Sequence, residues 1–269
     1  MNVSVLIIVH ERPDHLRACL HALTLQSHQP AQVVVVDDGS SPACAARLRE
    51  DVAHSGLPVQ LVHRVRTAYC PAAARNEAVR HARHPYLLFL DCDILAFPDV
   101  IERHVQTAKP GRFLAGNCAL LDEPNSRPLL QQTNWGPPEM EAAWGRADQA
   151  TLRRRIAAFQ RNNLLRRFGL ARRHKPKLIS WYFSLFKEDL LRVNGFDENY
   201  VEWGYEDDDL GLRLYQAGLT SCSVAAEARA LHLYHASAKQ KTDNRSRPNR
   251  AYFLRHDVST RCAKGIVGA

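Results

Sequence analysis

Asp91-Cys92-Asp93 closes the apolar run Tyr86 to Leu90. Two carboxylates one residue apart on an extended strand point the same way. Held that close they repel, and a hard divalent cation is the usual remedy. The same pattern also makes a turn whose Asp caps the next helix, so its chemistry depends on what else meets it. Asp37-Asp38-Gly39-Ser40 ends a second apolar run. An acid there can accept from a ribose hydroxyl or a uracil N–H, although Asp-Gly alone is a turn signal. Arg75 lies in a helical stretch after a third run, where a guanidinium can reach a diphosphate or a base edge, or simply be solvated.

The elements that must position these residues alternate in type. VSVLIIV, QVVVVDD, VQLVH and YLLFLD are each followed by a helical stretch: Pro13 to Gln26, Pro42 to Ala53, Pro71 to Ala82 and Pro98 to Ala108. Each proline sits where a helix starts, a position whose missing N–H is harmless. Strand and helix in alternation indicate an α/β fold with a mostly parallel central sheet and helices on both faces. Runs apolar throughout fit strands covered on both sides. Ligands of such sheets bind beyond the carboxyl ends of the strands. Those ends are polar here: His10-Glu11-Arg12, Asp37 to Ser40, and Asp91 to Asp93. Leu121 to Gln149, rich in Pro, Asn and Gly, reads as loop, a lid or acceptor surface. A basic helix follows, then the strand LISWYFSLF, a short helix from Lys187 to Val193 and the turn NGFDENY. After WGYEDDD comes a helix stopped by Gly218, then a strand from Ala228 to Tyr234 and a polar tail.

With 269 residues, 45% of them hydrophobic, the chain can close one large core, so disorder as its main state is excluded. No apolar run approaches the roughly 20 residues of a spanning helix, and the N-terminus enters a strand-like run without a charged leader. A cytoplasmic protein is expected. The seven cysteines are scattered and contain no Cys-x-x-Cys pair, against a disulfide framework or a zinc site. The net charge of +8 is local: Gln149 to Lys187 holds eight Arg, three Lys and no acid, leaving −3 for the rest. Nucleic-acid binding would rest on that charge alone.

The series SVLIIVHERPDHL, VVVVDDGS, AAARNEA, FLDCD and NGFDENYVEWGYEDDDLGLRL resembles the family 2 glycosyltransferases with the GT-A (nucleotide-diphospho-sugar transferase) fold. The likeness covers the chain apart from Leu121 to Arg173. Its most specific piece, Trp203-Gly204-Tyr205-Glu206-Asp207-Asp208-Asp209, is similar to the acidic motif of β-1,4-galactosyltransferases and chondroitin-type polymerases. The resemblance implies one glycosyltransferase domain over 1–269, with a nucleotide-sugar half (1–120) and an acceptor and catalytic half (121–269). It implies an inverting transfer from a UDP-sugar to a saccharide or lipid-linked acceptor, of the kind that builds bacterial-type surface polysaccharides or glycoconjugates.

Residue by residue, the resemblance matches His10 and Arg12 to the loop contacting uridine and diphosphate, and Asp38 to the acid that binds the nucleoside. Asp91 and Asp93 match the metal motif, with Asp93 the direct ligand and Asp91 serving the ribose or the ion's surroundings. Asp207 matches the general base, Glu206 and Asp208 the acceptor-binding acids, and Trp203 an aromatic platform for an acceptor sugar. Physical logic agrees: in-line attack at an anomeric carbon needs a carboxylate beside the acceptor hydroxyl, and a cation on the phosphates stabilises the leaving UDP. Some acids of the run also suit a helix N-terminus. His232 takes a Met position of the galactosyltransferase pattern and His235 its His position. Facing one ion together requires the strand to bend after His232. Nitrogen and oxygen ligands suit manganese, with magnesium as the other candidate. Two departures stand beside the sugar site: Tyr205 occupies a Gly position, and Glu202 replaces a Gly.

The segment Arg153 to Lys177 interleaves Leu152, Ile156, Phe159, Leu164, Leu165 and Phe168 with its basic residues, as an amphipathic helix at an anionic membrane would, or a basic solvated face over a core stripe. Two other function classes compete. A sugar-nucleotide-binding protein that no longer catalyses should lack the base or a metal ligand, and both are present here. A nucleotidyltransferase needs a Gly-rich phosphate loop after the first strand, which His10-Glu11-Arg12-Pro13 is not.

Overall fold

A computed structural model describes residues 1–65, 68–132, 134–202, 204–236 and 248–267. Its first third runs β1 (Val3–Val9), α1 (Pro13–Thr24), β2 (Gln32–Asp37), α2 (Pro42–His54), β3 (Val59–His63), α3 (Pro71–His81) and β4 (Tyr86–Asp91). Proline opens α1, α2 and α3 as the sequence suggests. A short strand that periodicity did not reveal, β5 (Ile94–Ala96), precedes α4 (Val100–Thr107), so Pro98 stays in the turn between them. Then come β6 (Arg112–Ala115), β7 (Ala119–Leu120), α5 (Glu123–Gln131), α6 (Pro137–Arg146), α7 (Gln149–Arg167) and β8 (Tyr182–Phe186). The chain continues through α8 (Lys187–Arg192), α9 (Glu206–Gln216), β9 (Thr220–Ser223), β10 (Ala230–His232) and α10 (Pro248–Phe253).

Seven strands form one sheet in the order β3-β2-β1-β4-β8-β6-β9. The pairs among β3, β2, β1 and β4 are parallel, β8 runs antiparallel between β4 and β6, and β9 is parallel to β6. Alternate residues feed two cores. Val3, Val5 and Ile7 pack with Leu16 and Leu20 of α1 and Leu48 of α2. Leu6, Val34, Val36 and Phe89 pack with Ala78 and Val79 of α3, Leu190 of α8 and Leu210 and Leu214 of α9. The mostly parallel sheet therefore carries helices on both faces, which is why its central strands β1, β2 and β4 are almost wholly buried.

A second sheet, β5-β10-β7, joins three distant segments: β10 pairs antiparallel with β5 and parallel with β7. Its strand β10 ends at His232, short of the expected Tyr234, because Leu233 N–H turns to the Asp93 carbonyl (2.9 Å).

Three expectations are corrected. The presumed loop Leu121 to Gln149 holds α5 and α6. Asp122 caps the first by accepting from Asn125 N–H (3.0 Å), and Glu139 closes the second by accepting from Gly136 N–H (2.8 Å). Trp135, Met140 and Ala143 are buried, so apolar anchoring outweighs the Pro and Gly content. The basic segment is helical only to Arg167, and its apolar residues do not form one buried stripe. Leu152 is buried, Ile156 and Phe159 are half-buried, and Leu164, Phe168 and Leu170 are 54%, 70% and 72% exposed. Finally, the polar tail contains α10, held by Phe253 packing with Tyr200, Leu212 and Val258. All seven cysteines are free, and no helix among the described residues is long and apolar enough to cross a membrane.

Candidate active site

The polar ends of β1, β2 and β4 meet along one edge of the main sheet. Glu11, at φ 52°, turns the chain after β1 so that its carboxylate accepts from Ser41 N–H, while its own N–H donates to Ser40 Oγ (3.0 Å). Ser40 N–H donates to Asp37 Oδ1 (3.0 Å), and His63 lies 2.9 Å from the other oxygen of Asp37. Asp38 is buried and paired with Arg64. His10 follows β1 with its buried Nδ1 lacking a hydrogen-bond partner.

Asp91 and Asp93 do not share a direction. β4 ends at Asp91 and a turn over Cys92 and Asp93 breaks the alternation, which corrects the expectation of two parallel side chains. Asp91 accepts from Arg75 NH2 (3.1 Å), whose NH1 lies 3.5 Å from Glu206 Oε1. Arg75 is thus buried between two acids, braced over the Phe196 ring, rather than open to a ligand. Burial raises the Asp91 pKa to about 6 despite Arg75, with Asp93 adding to the rise.

Asp93 gathers a different set. His235 Nε2 lies 3.2 Å from its Oδ2 and His232 Nε2 3.7 Å from its Oδ1. The chain leaves β10 at His232, and this bend brings the two imidazoles to one side, 5.3 Å between ring centres. Asp93 Oδ1 is buried without a hydrogen bond. Candidate ligand atoms of the three residues all lie within 4.8 Å of one another. One carboxylate and two imidazoles form a donor set suited to a divalent cation, and the orphaned Asp93 oxygen is what such an ion satisfies. Burial lowers the His232 pKa, keeping its lone pair available. Burial opposes the charge of Asp93, but the His235 hydrogen bond and the charges of His232, His235 and Arg12 hold its carboxyl below the usual range. Arg12 stands at this centre: NH1 donates to Asp93 Oδ2 (2.9 Å) and NH2 to His235 Nδ1 (3.0 Å).

The acidic run opens α9. Both departures from glycine keep a glycine-like backbone, Glu202 at φ 66° and Tyr205 at φ 72°. The four acids then separate by partner. Glu206 accepts from Gly204 N–H (3.1 Å) and faces Arg75. Asp207 Oδ2 lies 3.5 Å and Asp208 Oδ2 3.0 Å from Lys177 Nζ, and Asp208 Oδ1 is buried without a partner. Burial, then Glu206, raise the Asp207 pKa to about 7 against the pull of Lys177. Asp209 serves the fold: fully buried, it accepts from Arg213 Nε (2.6 Å) and from Tyr200 OH (3.1 Å). Trp203 lies outside the described residues.

Residues not anticipated from sequence also line the site. Lys177 touches Asp207, and Trp181 packs edge-on against His232 (5.2 Å). Arg155 lies over the same ring, 5.9 Å from the Trp181 centroid. The sequence shows Arg155 and Lys177 only as members of the basic segment, and Trp181 only as part of a strand run.

The fold resembles solved structures of the GT-A class. A mannosyltransferase from Pyrobaculum calidifontis, in complex with GDP-Man and Mn2+, superposes with a TM-score of 0.59 at 17% identity, over 88% of this chain and 58% of that one. GalNAc-T7 with UDP, GalNAc and Mn2+ superposes at 0.61 and 15%, over 90% of this chain and 44% of its own. The family model for glycosyl transferase family 2 matches residues 4–173, and that for the N-terminal domain of galactosyltransferase matches 171–236. The chain belongs to glycosyl transferase family 2. Among curated relatives, validoxylamine A glucosyltransferase of Streptomyces hygroscopicus subsp. limoneus is 33% identical over 244 residues, 87% of this chain and 52% of its own length. Chondroitin synthase of Escherichia coli is 26% identical over 263 residues, 92% of this chain and 37% of its own. The chain thus spans about half the length of the first relative and less of the second.

Proposed function

We propose that this chain transfers a sugar from a UDP-sugar to a saccharide or lipid-linked acceptor in one inverting displacement, in the synthesis of a surface polysaccharide or glycoconjugate. The observation that carries the reading is the meeting of His232 and His235 at Asp93, two residues on from Asp91, which Arg75 joins to Glu206 at the acidic opening of α9. Asp93, His235 and His232 would hold a divalent cation, Mn2+ rather than Mg2+ given two nitrogen donors, and the ion would supply positive charge to the departing diphosphate. Asp38 and His10 bind the nucleoside, Asp91 the ribose, and Arg75 fixes Asp91 for that task. Arg12 belongs to the diphosphate: its guanidinium stands at Asp93 and His235 and must give way to a cation, and two N–H donors suit a phosphate. Asp207 removes the proton of the acceptor hydroxyl, Glu206 and Asp208 orient the acceptor, and Trp203 stacks on its sugar ring.

The exposed Leu164, Phe168 and Leu170 stand among Arg161, Arg166, Arg167, Arg172 and Arg173. That composition supports peripheral contact of 149–187 with an anionic, cytoplasm-facing membrane surface, where a lipid-linked acceptor would be met.

The test is release of UDP from a panel of UDP-sugars with Mn2+, with Mg2+ and with EDTA, in wild type and Asp207→Asn. Activity should require the cation, and Asp207→Asn should lower transfer about 100-fold or more. Full activity in EDTA removes the metal assignment, and unchanged transfer in Asp207→Asn removes the base. UDP-sugar binding without any turnover would instead mark a non-catalytic binding protein.

A further inference from the structure

Beneath α7 lies a cleft of about 270 Å³ bounded by Asn117, Arg155, Phe159, Lys175, Lys177 and Ile179. Its volume is close to the ~300 Å³ at the small end of ligand pockets, room for one sugar ring with its substituents. Three cationic side chains line it and no acid does. Lys177 is matched by Asp207 and Asp208. Arg155 and Lys175 are not: among the described residues no carboxylate pairs with either. Among the described residues Arg155 donates to the amide oxygen of Asn117 (3.3 Å) and lies over the Trp181 ring. Lys175 is half-buried, and burial pushes its ammonium down against the pull of Asp208 and Asp207. With no direct ion pair among the described residues, the charged ends of Arg155 and Lys175 can each still receive an anion.

Arg12 and the Asp93 set, the proposed partners of the donor's phosphates, do not line the cleft, although Trp181 touches both His232 of that set and Arg155. The cleft instead opens beside the base, since Lys177 both lines it and contacts Asp207. A sugar whose hydroxyl reaches Asp207 therefore places its neighbouring substituents among Arg155 and Lys175.

We infer that the acceptor is an acidic saccharide whose carboxylate or phosphate is received by Arg155 and Lys175 in the cleft under α7. The guanidinium fork suits either anion in a bidentate pair, and the ammonium adds a point charge. This rests on the transferase reading, which acceptor-independent UDP-sugar hydrolysis checks separately.

The inference is tested by calorimetric titration of the UDP-loaded, Mn2+-supplemented protein with three probes. These are a glucuronate-terminated disaccharide, glucose 6-phosphate, and the disaccharide's neutral glucose-terminated counterpart. At least one acidic probe should bind ten-fold or more tighter than the neutral one, and whichever does so identifies the anion. Arg155→Gln and Lys175→Gln should each remove most of that preference while leaving the neutral probe's affinity within two-fold, and Arg155→Lys should restore part of it. Equal affinity for all three probes, or no binding by any, overturns the inference. So does an equal loss for acidic and neutral probes in the variants, which marks a structural role. A preference for UDP-glucuronate over UDP-glucose that the same variants abolish would place the cleft on the donor sugar instead.

Discussion

Asp207 lies 3.5 Å from Lys177, and this contact bears on when the proposed base is ready. With the Asp207 pKa raised to about 7 by burial and Glu206, activity should climb as pH passes through about 7 and the carboxylate loses its proton. Lys177 holds that value down, so Lys177→Met should move the rising limb to higher pH. Its rate at pH 7 should fall about ten-fold for each unit of displacement and recover near pH 9. A limb that stays in place would show that Asp207 is not the titrating base. Stability carries the opposite sign. Between the unfolded carboxylate value and about 7 the folded state keeps a proton that the unfolded state has lost, so stability declines over that window. Asp207→Asn should therefore melt higher than wild type at pH 8, with the gap closing at pH 4, as calorimetry can read. At this scale the sequence displayed four consecutive acids but not their division of labour. Asp209 is drawn away by Arg213, a partner one helical turn on, and by Tyr200. Arg155, Lys175 and Lys177 were visible only as members of the basic segment, because a single cation within such a run acquires its own meaning from what folds against it.

Among the elements, those with unbroken apolar runs were legible and those built from exceptions were not. Strands β1, β2 and β4 were legible because their side chains are buried on both faces of the sheet, which unbroken apolar runs suit. Helices α5 and α6 were hidden because prolines, asparagines and glycines punctuate the segment that holds them, although Asp122 and Glu139 carry ordinary capping signals. The strand β5 is too short for periodicity to reveal. Close contact between elements imposes a further constraint at the end of β6. A Cβ on Gly116 would lie 2.2 Å from the Tyr182 ring, whose hydroxyl donates to the Ala228 carbonyl (2.9 Å). Gly116→Ala should cost about 1–3 kcal/mol through displacement of that ring. Thermal melting would register this as a drop of several degrees, and an unchanged melting point would mean that β6 and β8 can separate without penalty.

For the whole molecule, the charge is as uneven in space as in sequence. Eight Arg and three Lys between residues 149 and 187 sit against a remainder of −3, and the exposed Leu164, Phe168 and Leu170 share that region. Vesicles rich in anionic lipid should float with the protein at low salt and release it at high salt, where screening shortens the reach of these charges to ~3 Å at 1 M. Failure to float at low salt removes the membrane proposal. The sheet β5-β10-β7 has a bearing on the timing of synthesis. Strands β1 to β4 are complete once the first third of the chain has been made, and neighbouring parallel units can fold as they emerge. Asp93 then waits beside an unfilled edge, because His232 and His235 arrive about half the chain later and the pairing of β10 with β5 and β7 is non-local. A chain still being translated would thus hold Asp93 without the two imidazoles proposed to bind a cation with it, and on that proposal could not consume its donor before β10 is made.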